Sequence, residues 1–294
     1  MTAETNHFSG CRLCTLYSGS DGNSTYISGG GTSILIDAGK SARALTNALK
    51  TIGALPKTGK ATKPPVDAIF ITHEHTDHIA ALLVLSKQYR IPIHVTEPSA
   101  EKLYKIAGDT PMRDLITVHP PLFSVEIGTM TVSSFPTSHD SRMSVGYRIC
   151  LRCTDGSTCD LGYATDLGTV TPAVREGLQG CRAVVLESNH DPDMLLDGPY
   201  PFDLKMRIRS RYGHLSNSDA AALAASLAAG GTTHFLLAHL SKENNIPEFA
   251  YAETHAAIAD ERVTVRVASP SDVTFLIGEA DNTSIPPKEE ASTC

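Results

Sequence analysis

Three imidazoles and the carboxylate of Asp77 fall within six residues, in the stretch His73-Glu74-His75-Thr76-Asp77-His78. Neutral imidazole and carboxylate are good ligands for first-row divalent metals. His73 and His75 lie two residues apart, so on extended backbone they face one way and can grip one ion. Asp77 and His78 follow where the chain bends and can grip a second. A solvated, metal-free loop is the bland alternative, and four donors in six residues weigh against it. The short, β-branched run Val66–Ile71 leads in and reads as a buried strand; the run over 79–90 leads out and reads as a buried helix. The cluster therefore sits on a loop between a strand's C-terminal end and a helix N-terminus, where rigid scaffolds hold functional groups.

One loop cannot close two sites, so further donors must come from elsewhere. His139 follows an apolar run at Met130–Phe135, Asp166 follows Cys159–Thr165, and His239 follows Thr233–Ala238. Each repeats the same order: apolar strand, donor, then a small or polar residue. Taken singly, each is as good a capping or hydrogen-bonding residue as a ligand; together they form a set.

The elements that must carry these donors alternate along the chain, and strands outnumber helices. Ser41 caps a helix from Ala42 to about Ile52, and Asp203–Tyr212 and Ser218–Ala229 read as further helices. The pattern predicts two sheets with helices outside, in one domain over 11–280, after a flexible start at 1–10 and before a polar, disordered tail at 281–294. The 294 residues are 41% hydrophobic with a net charge of -7. That supports a sizeable core and excludes a globally basic nucleic-acid clamp. No apolar run reaches the ~18 residues of a membrane span, and no export signal is visible. Seven scattered cysteines argue against a disulfide framework, so a cytoplasmic location is expected. Cys11-x-x-Cys14 and Cys150-x-x-Cys153 could suggest a structural zinc. Both lie in strand-like runs, however, where i and i+3 point to opposite faces.

The pattern His73-x-His75-x-Asp77-His78, then His139, Asp166 and His239, resembles the metallo-β-lactamase superfamily over nearly the whole chain. That resemblance implies a four-layer αβ/βα sandwich of two mixed sheets with a dinuclear metal site at one edge. His73, His75 and His139 would hold one divalent ion, Asp77, His78 and His239 the other, and Asp166 would bridge them. The segments at 18–23, 186–191, 213–217 and 239–245 are further similar to the YycJ/WalJ-type branch, bacterial cytoplasmic proteins assigned as DNA exonucleases. Ala81 departs from the glycine frequent in the superfamily at that position. It removes no ligand.

Glu187 and His214 resemble the Glu–His pair of tRNA-processing nucleases of this fold, a proton donor to a leaving oxygen. A structural hydrogen bond is the plain alternative. Arg207 and Arg211 would share a helical face and could hold a phosphate backbone, although a charge run is often only a solvated face. His190 and Asp191 read equally as loop-ordering or catalytic, and Asn23 as lying under the metals or as a plain turn. The reading is thus a metal-dependent phosphodiesterase: a DNA exonuclease, 5′ to 3′ by family resemblance, with Asp77, Glu187 and His214 catalytic. A hydroxide between two ions would be the nucleophile. Zn²⁺, Mn²⁺ and Fe²⁺ all suit the donors. RNA stays open as a substrate and a homo-oligomer as an assembly. A small-molecule ester, thioester or cyclic phosphodiester hydrolase is the alternative.

Overall fold

The computed structural model describes residues 8–59 and 61–278, so the tail expected at 281–294 and most of the start expected at 1–10 lie outside the described residues. Two seven-stranded sheets face each other. The first joins β1 (Arg12–Tyr17), β2 (Ser24–Gly29), β3 (Thr32–Ile36), β4 (Ala68–Phe70), β5 (Ile93–Thr96) and β6 (Ile116–His119), with β14 (Thr274–Ile277) beside β1. The second runs from β7 (Ser124–Ile127) through β8 (Met130–Pro136), β9 (Val145–Arg152), β10 (Thr158–Ala164), β11 (Ala183–Glu187) and β12 (His234–Ala238) to β13 (Thr264–Val267). Each sheet is antiparallel on one side and parallel on the other. The change falls at β3 in the first and at β10 in the second.

Burial explains the layers. Leu13, Ile27, Ile34, Ile36 and Phe70 meet Val132, Tyr147, Ile149, Leu161, Val185 and Leu236 in the core between the sheets. The opposite face of the first sheet, with Leu16, Leu35 and Ile69, is covered by α1 (Ala42–Thr51), α3 (Leu82–Tyr89) and α4 (Glu97–Ala107). The opposite face of the second, with Ala164, Val184, Leu186 and Phe235, is covered by α5 (Pro172–Leu178) and α8 (Asn217–Ala229). Strands buried on both faces are largely apolar, which is why Ile34–Ile36, β4 and Ala183–Leu186 read as unbroken runs. This is the αβ/βα sandwich that the sequence predicts. Ser41 caps α1 as expected, its Oγ accepting from the Ala44 N–H at 3.3 Å.

Two helices depart from expectation. The helix expected over 79–90 is split into α2 (Thr76–Ile79) and α3. The end of β3 competes for its backbone: the Ala38 N–H donates to His78 O at 2.8 Å, and the Ala81 N–H donates to Ala38 O at 2.9 Å. Ala81 is fully buried at this break. The helix expected over 203–212 is α7 (Phe202–Ile208), preceded by the unforeseen α6 (Pro192–Asp197). The chain doubles back after it, with the His214 N–H donating to Ile208 O at 2.9 Å. A Cβ at Gly213 would lie 2.0 Å from that same oxygen, so only glycine fits the return. Arg211 is therefore beyond the helix, and the helical face expected for Arg207 and Arg211 is not formed.

Cys14 and Cys150 lie in β1 and β9, and Cys11 and Cys153 stand one residue beyond the ends of those strands. Cys11 faces the inter-sheet core and Cys14 the outer one. Cys11 Sγ lies 3.3 Å from Cys153 Sγ, and burial, then the neighbouring Cys153, pushes the Cys11 thiol up to about 12. One thiol from each motif meets while the other two point elsewhere, so no four-thiolate cage forms.

Candidate metal centre

The donors gather at one edge of the two sheets, where β4, β8, β10 and β12 end. His73 and His75 leave β4, Asp77 and His78 lie on the one-turn α2, and His139, Asp166 and His239 follow β8, β10 and β12. Donor atoms of His73, His75 and His139 lie within 4.8 Å of one another, as do those of Asp77, His78 and His239. Asp166 stands between the two groups. Its Oδ1 is 3.5 Å from His139 Nε2, and its Oδ2 is 3.5 Å from His78 Nε2. His239 Nε2 is 3.8 Å from Oδ1.

Four of the imidazoles are aimed by their other nitrogen. His78 Nδ1 is 2.8 Å from Asp37 Oδ2, His239 Nδ1 is 2.7 Å from Glu187 Oε1, and His139 Nδ1 donates to Gly213 O at 3.1 Å. His73 Nδ1 meets Thr72 Oγ1 at 3.0 Å. Such outer partners fix the tautomer and turn Nε2 toward a metal. His73 Nε2, His239 Nε2 and Asp166 Oδ2 are buried and have no hydrogen-bond partner. An orphaned buried group costs about 1–3 kcal/mol. Three at one point would consume much of the ~5–15 kcal/mol that stabilises a domain unless something ligates them. The local field has the matching sign. Burial would lower the pKa of His78, yet Asp37 and Asp166 hold it up to about 10, so the site favours positive charge. These donors fit divalent cations.

Three supporting groups had no role in the sequence reading. Asp37, just past β3 at φ +62°, accepts from the Thr72 N–H and the Thr72 hydroxyl as well as facing His78. It follows the same order of apolar strand then donor, which is the signal that could have found it. Glu74, inside the motif, turns away from the donors and accepts from Ser99 Oγ at 2.6 Å and the Arg142 N–H at 2.9 Å. Gly39 is packed so tightly that a Cβ would lie 1.4 Å from Asp77 O. Asn23 does lie under the cluster: its Nδ2 is 3.2 Å from His78 Nε2 and its N–H donates to Asp77 O at 2.8 Å.

Glu187 joins the second sheet's donors. Fully buried, it accepts from the N–H groups of Asp166, Leu167 and Leu215, and faces both His239 Nδ1 and His214 Nδ1, the latter at 2.9 Å. Burial would raise its pKa, but the His214 and His239 imidazoles outweigh that and bring it to about 2. Asparagines lock the loops around it. Asn217 Nδ2 donates to Asn245 Oδ1, Asn245 Nδ2 donates to Ser188 O, and Asn189 Nδ2 donates to His239 O. Asp191 caps α6 by accepting from the Asp193 and Met194 N–H groups. His190 is buried outside the pocket, and burial pushes its pKa down to about 4.

The cluster floors a cavity of about 310 Å³ whose walls include Asn189, Tyr200, Leu204, Arg207, His214 and Ser241. The Arg207 Nε–H donates to Asp140 Oδ2 at 2.6 Å across this mouth. Arg211 is not on the wall; its guanidinium lies 5.3 Å from the centre of the Tyr212 ring.

Among known proteins, residues 32–240 match the β-lactamase superfamily domain. The exodeoxyribonuclease YycJ of Bacillus anthracis is 35% identical over 82% of this chain and 86% of its own. The exodeoxyribonuclease WalJ of Streptococcus pneumoniae is 32% identical with the same coverage. The metallo-β-lactamase fold protein YhfI of Bacillus subtilis superposes with a TM-score of 0.63 at 19% identity, covering 90% of this chain and 99% of that one. The chain belongs to the β-lactamase superfamily and, within it, to the YycJ/WalJ group of metal-dependent hydrolases.

Proposed function

We propose that this chain is a DNA exonuclease working with two divalent cations, 5′ to 3′ in polarity. The observation that carries it is Asp166: one carboxylate stands between two separate groups of donors, beside the Glu187–His214 pair in an open pocket. The relatives of known name at 32–35% identity are exodeoxyribonucleases, which points to DNA. In this reading His73, His75 and His139 hold one ion, Asp77, His78 and His239 the other, and Asp166 bridges. Such ions lower the pKa of a water and neutralise charge developing on a phosphoryl group. Mixed imidazole and carboxylate donors suit Zn²⁺, Mn²⁺ or Fe²⁺.

The chain's own groups do the rest. Asp77, partly exposed in the pocket, accepts the proton of the attacking water. Glu187 holds His214 Nδ1, which leaves the other ring nitrogen to protonate the departing oxygen. Arg207 meets the phosphate at the mouth, while Arg211, off the pocket wall, contacts the strand further out. A cytoplasmic setting belongs to the same proposal.

A small-molecule ester, thioester or cyclic phosphodiester hydrolase is the second reading, favoured by the net charge of -7 and the modest cavity. The test is a substrate panel: protein purified without chelator, supplied with Mn²⁺ or Zn²⁺, and given end-labelled DNA, end-labelled RNA, a chromogenic phosphodiester and a thioester. Shortening of DNA from its 5′ end is the expected result. Intact DNA and RNA beside a cleaved thioester would overturn the nuclease reading.

A further inference from the structure

One wall of the pocket differs from the others. Ser20, Asn189 and Ser241 make a polar side, whereas Tyr200, Leu204 and Ile208 make an apolar one. The apolar side belongs to the segment 200–212, which also carries Lys205, Arg207, Arg209 and Arg211 in a chain that is acidic overall. Phe202 is 72% exposed and Tyr212 51% exposed on the same segment, so both rings are open to solvent beside the pocket. Interleaved aromatic and basic side chains are what a single nucleic-acid strand needs: rings for bases to stack on, cations for the backbone.

Size narrows the ligand. At about 310 Å³ the cavity stands at the small end of the ~300–1,000 Å³ range of small-ligand sites. That is the scale of a single nucleotide. The donor groups are its floor, so a phosphate reaches them only if its nucleotide enters. Arg207 spans the mouth through Asp140, with side chains 64% and 28% exposed. An ion pair that exposed is weak, and a phosphate offers the guanidinium a competing bidentate partner.

We propose that the pocket admits one unpaired terminal nucleotide, its base laid on the Tyr200–Leu204–Ile208 wall and its phosphate drawing Arg207 away from Asp140. This rests on the nuclease reading and adds to it that duplex ends are substrates only after fraying. The test uses Mn²⁺-supplied protein and two DNA duplexes identical except for the last three pairs, one G·C-clamped and blunt, the other mismatched into a fork. The fork should be degraded on the order of tenfold faster, since a mismatched end has already lost its pairing. Tyr200→Ala should raise KM for the fork about tenfold, with Tyr200→Phe returning it to within about twofold because the ring is kept. Clamped ends cut as fast as forks would overturn the proposal. So would an unchanged KM in a Tyr200→Ala protein of wild-type metal content. Fluorescence anisotropy with phosphorothioate-ended forks and blunt duplexes separates the two readings. Tyr200-dependent preference for forks without any cleavage would sink the nuclease assignment and keep the unpaired-end site. Cleavage with no preference in rate or binding would do the reverse.

Discussion

The two sheets contribute to the centre in different ways. The first delivers His73, His75, Asp77 and His78 from a single loop, and the second delivers His139, Asp166 and His239 one at a time from separate strand ends. The loop is held by Thr72 beside it and by groups from earlier in the first sheet: Asp37, Asn23 and the close approach of Gly39 to Asp77. The second set depends on one buried carboxylate, Glu187, and on Asn189, Asn217 and Asn245. Both halves use left-handed backbone, uncommon for residues other than glycine: Asp37 at φ +62°, Asp166 at +58° and His239 at +59°. The lesson is that one half takes its donors from contiguous sequence and the other from separate strand ends, while both are held in place by polar partners remote in sequence.

Substitutions that separate the halves test this contrast. Asp166→Ala removes the group shared by both, so metal and activity should vanish together, activity by on the order of a thousandfold or more. Full activity with full metal would break the bridging assignment. His214→Ala touches only the proton donor proposed for the second half, and the metal should stay while turnover falls by about a hundredfold or more. Metal loss in that variant would make His214 a ligand.

Gly39→Ala strikes the first half by forcing a methyl into Asp77 O, and overpacking of this kind costs roughly 1–3 kcal/mol. Urea titration should show that loss together with weaker metal binding. A wild-type midpoint would contradict the close packing of Gly39 against Asp77.

The smallest effect concerns pH. Burial, then His119, brings His94 down to about 4, and its ring stacks on Phe70 in the first sheet. The unfolded chain therefore binds a proton near 6.5 that the folded chain refuses, so stability from this group is present above about 6.5 and lost as pH falls toward 4. In chelator-treated protein, wild type should lose more stability between pH 7 and 5 than His94→Phe does. Parallel losses in the two proteins would remove His94 as the cause.

How much was readable from sequence follows the same division. The metal loop was legible because its donors are contiguous, and the sandwich because doubly buried strands are largely apolar. His139, Asp166 and His239 were legible as donors after apolar runs. Asp37 obeyed the same order and went unweighted, since its partner His78 is 41 residues away and meets it only once β3 and β4 are paired. The end of α7 was not legible because the turn at Gly213 is set by contact with Ile208 O, and helix propensity alone continues through Tyr212. Nor could charge pattern reveal that Arg207 is held by Asp140 or that Arg211 leaves the pocket wall.

The central claim is that the two halves close on one two-ion centre. Metal analysis of protein purified without chelator and re-equilibrated with Zn²⁺ or Mn²⁺ tests it most directly. The expected result is two equivalents per chain, both lost in Asp166→Ala. A single equivalent that survives this substitution would contradict it.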